Sequence, residues 1–262
     1  MNHDELFHSM HDGLLMLPNC WDGGSARVAQ AAGATALATS SAAVAWSHGH
    51  ADGSHLPTEL LLATVRGIRR VSDLPLSVDI EDGYSADPAG VAVLVRELIG
   101  AGVVGINIED GGDAPALLAS KIAMVREVAD AAGVRLFINA RTDVYLRGLA
   151  DGDGKPQEAI RRGELYRAAG ASGLFVPGLA HENDIAAIAA AVALPLNVMA
   201  VPGLPAPARL RELGVRRLSA GSAIGEAAQG LARDAAAAFL ATGRVDAPSP
   251  GYGVINALMV SG

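Results

Sequence analysis

Leu76-Ser77-Val78-Asp79-Ile80-Glu81-Asp82-Gly83-Tyr84 is a short apolar run that ends in acids and a turn. Strand side chains alternate faces, so Asp79 and Glu81 are expected on one side, with Val78 and Ile80 on the other. The construction returns at Gly105-Ile106-Asn107-Ile108-Glu109-Asp110 and at Ile138-Asn139-Ala140-Arg141-Thr142-Asp143. After each comes an Ala-rich stretch that reads as helix. Ala101-Gly102, Ala132-Gly133 and Ala169-Gly170 then supply the usual left-handed stop.

Extended along the chain, the pattern predicts strands at 14–17, 36–39, 76–80, 105–109, 135–140, 173–176, 196–199 and 217–220, with helical segments between them. Strand–helix units in this number, over about 250 residues, are those of a (β/α)8 TIM barrel, which places functional groups at the C-terminal strand ends. A doubly wound sheet usually opens with a glycine-rich turn. Pro18-Asn19-Cys20-Trp21-Asp22-Gly23-Gly24 has no G-x-G-x-x-G, and the chain has no G-x-x-x-x-G-K-[ST]. The expectation is a single domain over 1–262, with the barrel over about 12–224 and a helical tail over 225–262. The tail ends in an apolar tip at 254–260, which either meets a partner subunit or folds back on its own barrel.

Composition narrows the function. Half of the 262 residues are hydrophobic and only 18% are charged, enough to build one large core. Lys plus Arg is 20 against 28 Asp plus Glu, a net charge of −8, which argues against a nucleic-acid partner. A single cysteine, Cys20, excludes an intrachain disulfide and fits a reducing, cytoplasmic setting. The start lacks a basic segment followed by a long apolar one, so no signal peptide is expected. Residues 185–201 are nearly all apolar, but Leu194-Pro195 divides them into a buried helix and a buried strand. No membrane partner is expected.

Asp79, Glu81 and Glu109 on neighbouring strand ends would repel one another in a barrel mouth unless a cation joins them or some are protonated. Oxygen ligands without nearby His or Cys select Mg2+, or Mn2+, over zinc. Arg141 faces inward beside Asn139 and is read as a carboxylate clamp, with a salt bridge to Asp143 or Glu109 as the plainer role. Ser40-Ser41-Ala42 offers small side chains and backbone N–H groups for a second oxygen of the same anion. His48, His50 and His55 are read as loop residues, and Cys20 as a small buried residue. Residues 111–118, with Asn197 and Met199, are the expected wall for the far end of a substrate.

Together these segments resemble the isocitrate lyase / phosphoenolpyruvate mutase superfamily. The likeness runs from Leu17-Pro18-Asn19-Cys20-Trp21-Asp22 through Ser40-Ser41, Ala51-Asp52-Gly53, Val78-Asp79-Ile80-Glu81-Asp82-Gly83-Tyr84 and Ile108-Glu109-Asp110 to Ala140-Arg141-Thr142-Asp143. It implies an Mg2+ enzyme that breaks or makes a C–C or P–C bond beside the carbonyl of a small 2-oxo or 2-hydroxy carboxylate, through an enolate-like species. By position, Asp79 would ligate the metal directly, while Asp52, Glu81 and Glu109 would hold its waters. Arg141, with the backbone at Ser41 and Ala42, would bind substrate. The family also implies a homo-oligomer, dimer or tetramer, built through the C-terminal helices.

The chain departs from the family after Glu109-Asp110. The cleaving lyases carry Lys-Lys-Cys-Gly-His there, and the mutase and phosphonopyruvate hydrolase carry a lysine. This chain has Gly111-Gly112-Asp113-Ala114-Pro115. The expected activity is therefore one needing only metal, anion clamp and water, with oxaloacetate decarboxylation the simplest. P–C chemistry, a lyase on a substituted malate, and a barrel that binds a metabolite without turnover are the alternatives.

Overall fold

The computed structural model describes residues 2–260. Nine parallel strands form a nearly closed barrel: β1 (Leu15–Leu17), β2 (Asn19–Cys20), β3 (Leu37–Thr39), β4 (Leu76–Asp79), β5 (Gly105–Glu109), β6 (Phe137–Arg141), β7 (Gly173–Phe175), β8 (Leu196–Met199) and β9 (Val215–Ser219). The order is β1-β9-β8-β7-β6-β5-β4-β3-β2. β1 and β2 are successive parts of one barrel strand, interrupted at Pro18, which has no N–H to give to a ladder. β1 pairs with β9 and β2 pairs with β3, so this broken strand closes the circle.

Asn19 holds the seam at the break. Its Nδ2 donates to the Thr39 carbonyl (2.8 Å), and its Oδ1 accepts from the Ala220 N–H (2.9 Å). One amide thereby joins both sides of the closure.

Helices alternate with the strands: α1 (His3–Ser9), α2 (Gly23–Ala31), α3 (Ser41–Ser47), α4 (Thr58–Arg69), α5 (Pro88–Gly100), α6 (Pro115–Ala131), α7 (Gly154–Ala168), α8 (Glu182–Ala191), α9 (Pro207–Glu212), α10 (Ala223–Thr242) and α11 (Tyr252–Val260). The main core lies between strands and helices, where Val78, Ile80, Ile106, Ile108, Ile138 and Ala140 turn outward onto apolar helix faces. A second cluster of Phe7, Leu15, Leu17, Ala36, Ala38, Val104 and Phe137 plugs the N-terminal end of the barrel. His11 completes the plug, stacked on Phe137 at 4.0 Å. Burial lowers its pKa to about 3, so it packs there as neutral imidazole.

Two elements were not legible beforehand. α1 supplies Phe7 to the plug, and α3 occupies Ser41–Ser47, directly after β3. No described helix is long and apolar enough to cross a membrane. The apolar tip folds back as α11 against α2, and the Leu258 carbonyl accepts from Arg27 Nε at 2.7 Å.

Asn19→Ala removes both seam hydrogen bonds. It should cost roughly 1–3 kcal/mol, read as a lower urea midpoint at unchanged slope. An unchanged midpoint would mean that the seam needs no bridging amide.

Candidate active site

The barrel register sets the site. Asp79 lies beside Asn107, Asn107 beside Asn139, and Glu109 beside Arg141. Asp79, Asn107, Asn139 and Asn197 all turn inward. Asn139 Nδ2 donates to Asn107 Oδ1 and to Asn197 Oδ1, both at 2.9 Å. Asn107 Nδ2 in turn donates to Asp79 Oδ2 at 3.1 Å. Below them Arg217, 1% exposed, donates from Nη2 to Asn107 Oδ1 at 3.2 Å.

Above this belt lies a cavity of about 210 Å³ at the C-terminal strand ends. Ser40, Ser41, Ala42, Asp52, Asp79 and Arg141 all line it, so the structure brings together most of the residues singled out from the sequence. Ser40 caps α3 by accepting from the Ala43 N–H at 3.3 Å. The N–H groups of Ser41 and Ala42 are first-turn donors with no intrahelical acceptor.

Other expectations need correction. β4 ends at Asp79, and Glu81 has φ +50°, so strand alternation fails and Glu81 does not share the direction of Asp79. Its Oε1 accepts from Tyr84 Oη (2.8 Å) and its Oε2 from the Gly53 N–H (3.0 Å) and the Ser54 N–H. Glu81 thus latches the loop that carries Asp52 instead of facing the cavity. Ser54 and Tyr84, its partners, also have positive φ, at +62° and +56°. Three strained residues meeting at one contact mark a geometry that the surrounding structure enforces.

Glu109 lies behind Arg141, its Oε2 2.6 Å from Nη1. Asp143, fully buried, takes Nε and Nη2 of Arg141 at 2.7 and 3.1 Å, so the salt-bridge role of Arg141 is realised at both carboxylates. A guanidinium has five N–H donors, and these contacts engage three. Asn197 lies beneath the cavity, with Nδ2 bound to the Val198 and Arg217 carbonyls and Ser219 Oγ. It is therefore no substrate wall. Residues 111–118 do not line the cavity either, and Leu118 packs in the main core. The wall is Leu146, Phe175 and Met199, of which only Met199 was expected.

Asn19, Ser219, Gly221 and Ser222 also border the cavity. The rule that sites collect at strand ends would have found the last three. His48 is bound to Thr64 Oγ1 at 2.9 Å and lies away from the cavity. Cys20 is buried, with its thiol pushed up to about 12, chiefly by desolvation.

The charge balance bears on a cation. Burial raises Asp79, against the opposing pull of Arg141 and the Asn107 hydrogen bond. Burial also raises Glu109, to about 8, because desolvation outweighs the Arg141 pair while Asp79, Asp143 and Glu81 repel it. Among the described residues no three His, Cys, Asp or Glu side chains converge as a closed ligand shell. The oxygen donors that line the cavity are the carboxylates of Asp52 and Asp79 together with serine hydroxyls and asparagine amides, with no imidazole or thiol among them. This set fits Mg2+, which retains several waters and takes one or two carboxylates directly. Asp79 and Asp52, the two carboxylates of the lining, are the residues that could hold it.

Parallel strands thus bring carboxylates, an arginine and first-turn backbone N–H groups to one mouth of a barrel. The chain belongs to the phosphoenolpyruvate phosphomutase family, whose model matches residues 7–240. It therefore falls in the isocitrate lyase / phosphoenolpyruvate mutase superfamily of carbon–carbon lyases and mutases. A candidate phosphonomutase from Burkholderia cenocepacia is 42% identical, with TM-score 0.83 over 88% of this chain and 98% of that one. The oxaloacetate decarboxylase of Pseudomonas savastanoi is 34% identical over 155 residues, 57% of this chain and 53% of that enzyme. A phosphonopyruvate hydrolase bound to oxalate and Mg2+ is 25% identical, with TM-score 0.85 over 98% of this chain and 95% of that one.

A carboxyl raised on folding takes up its proton more readily in the folded state, so stability without metal should rise as pH falls through its folded pKa. Between about pH 8.5 and 6 in EDTA, the urea midpoint should increase, and Glu109→Gln should flatten that slope. A flat wild-type profile would show that Glu109 stays ionised throughout.

Proposed function

We propose that the chain is an Mg2+-dependent carbon–carbon lyase acting on a small 2-oxo diacid, with decarboxylation of oxaloacetate as its reaction. The observation that carries this reading is the makeup of the cavity. Asp79 and Asp52 face Arg141 and the Ser41 and Ala42 N–H groups, with no thiol or imidazole among the lining residues. The one cysteine of the chain is sealed behind the strands. What these residues can do is hold an anion, orient it and stabilise charge, and decarboxylation needs nothing more.

In the reaction, the C3–C4 bond breaks, its electron pair moves into the C2–C3 enolate of pyruvate, and CO2 departs. Solvent then delivers a proton to C3. Bound Mg2+ would supply Lewis-acid stabilisation of the 2-oxo oxygen. Asp79, oriented by Asn107 and by the Glu81 N–H (3.1 Å to Oδ1), is the group that would hold it. Asp52 is held over the cavity because Glu81 and Tyr84 fix its loop. Arg141 keeps two N–H donors for the C1 carboxylate, and its plane is fixed by Asp143 and Glu109.

The activity of the Pseudomonas savastanoi enzyme supports this reading, although the chain spans about half of its length. The Mg2+ and oxalate bound by the phosphonopyruvate hydrolase support the metal and the anion clamp. P–C bond chemistry is the second reading, favoured by the 42% identity to the candidate phosphonomutase. We also propose a homo-oligomer through the C-terminal helices, where Leu231, Phe239, Leu240 and Val254 stand exposed.

Purified protein with Mg2+ should release pyruvate from oxaloacetate well above the metal-only rate, and EDTA or Asp79→Ala should remove this excess. No excess over free metal would exclude the decarboxylase. Phosphate released from phosphonopyruvate in its place would select the second reading, and Mg2+-dependent oxalate binding by calorimetry without turnover of either would mark a binding protein.

A further inference from the structure

The cavity lining is uneven. Phe175 at the end of β7 is the registered neighbour of Arg141, and with Leu146 from the loop after β6 and Met199 at the end of β8 it makes up the large apolar part of the lining. Phe175 is nearly buried, with its ring centroid 5.9 Å from Arg141 Cζ. Leu146 is half exposed at the rim.

Two of these residues are seated against glycines in the left-handed region, Leu146 by its backbone and Met199 by its side chain. Gly178 has φ +82°, and a Cβ there would lie 3.3 Å from the Leu146 backbone N. Gly221 has φ +59°, and a Cβ there would fall 2.5 Å from Met199 Sδ. Any side chain at either position would push the wall out of place, in a conformation that L residues rarely adopt. The apolar side is therefore built by the backbone of two separate loops.

Charge is distributed to match. Among the described residues that line the cavity, Arg141 is the one cation. Arg147 is also held by Asp143, through Nε at 3.0 Å, but its guanidinium lies against Gly111 and Gly112, outside the cavity lining. A diacid anchored by one carboxylate at Arg141 and the α3 N–H groups would lay its other carboxylate against hydrocarbon and a thioether. An ionised carboxylate laid on those side chains gives up part of its hydration for hydrocarbon, whereas CO2 has almost no hydration to lose. The environment disfavours the reactant charge and leaves the uncharged product unaffected.

We propose that Leu146, Phe175 and Met199 form the bed of the leaving carboxylate. They select 2-oxo diacids whose second carboxylate is lost as CO2 over those that retain it. This rests on the decarboxylase reading above and adds residues that set its rate and selectivity.

The test compares wild type with Leu146→Lys and Met199→Gln, using oxaloacetate and Mg2+, with thermal melts to confirm folding. Leu146→Lys gives the carboxylate a cation, so KM should fall severalfold and kcat should fall by about tenfold or more. Met199→Gln should lower kcat in the same sense through a neutral polar group. Oxalate lacks the distal group, so its calorimetric affinity in the presence of Mg2+ should be unchanged in both variants. Folded variants with wild-type kcat, or a rise in kcat for Leu146→Lys, would overturn the bed while leaving the decarboxylase standing. A wild type that makes no pyruvate above the metal-only rate would overturn both.

Discussion

A line of amides across the barrel interior fixes the orientation of Asp79, and the remainder of the site is arranged around that carboxylate. Asn197 commits Nδ2 to three oxygens, so its Oδ1 must face Asn139. Asn139 then presents Nδ2 in both directions, Asn107 receives it on Oδ1, and only Nδ2 of Asn107 is left for Asp79. The polarity of one amide passes from β8 to β4 as a fixed sequence of donors and acceptors. Arg217 adds a buried cation to the same belt. Its Nε and Nη1, with Ser77 Oγ and Asn139 Oδ1, lack hydrogen-bond partners among the described residues. Buried polar atoms in such a setting are ordinarily met by ordered water.

The groups above the belt are held with similar economy. Asp143 accepts from Arg141 and Arg147 while its own N–H donates to Asp110, which also receives Arg162 and Tyr166. A buried carboxylate with two guanidinium partners needs no further neutralisation, and it fixes the plane of the arginine that faces the cavity. Glu81 does the corresponding work for the Asp52 loop. The departure of its backbone from strand geometry turns a strand-end acid into a latch.

Most of the barrel could be read from the chain, because its two periods are both strong: alternation in the strands, and helices closed by glycine. Glu109 beside Arg141 and Asp79 beside Asn107 follow from register alone. What escaped was decided by tertiary contacts with no local signature. α1 is short and makes sense only as the carrier of Phe7 into the open end of the barrel. Glu81 was misplaced because alternation was extended one step beyond the end of β4. Asn197 was taken for a substrate wall, but depth along the barrel axis is invisible in sequence, and it lies beneath the residues that line the cavity. Leu146 sits in a loop whose path is set by the packing at Gly178, so no pattern in its own neighbourhood announces it.

That last point bears on how such a site diverges. The position of the apolar wall is encoded at Gly178, which lies outside the cavity lining, and at Gly221, which only borders it. Exchanges at Leu146 or Met199 alter the chemistry of the wall while its location is kept. Exchanges at the glycines displace it and distort two loops at once. Descendants of this scaffold therefore have a cheap route to new substrates and an expensive one, and the glycines mark the boundary between them.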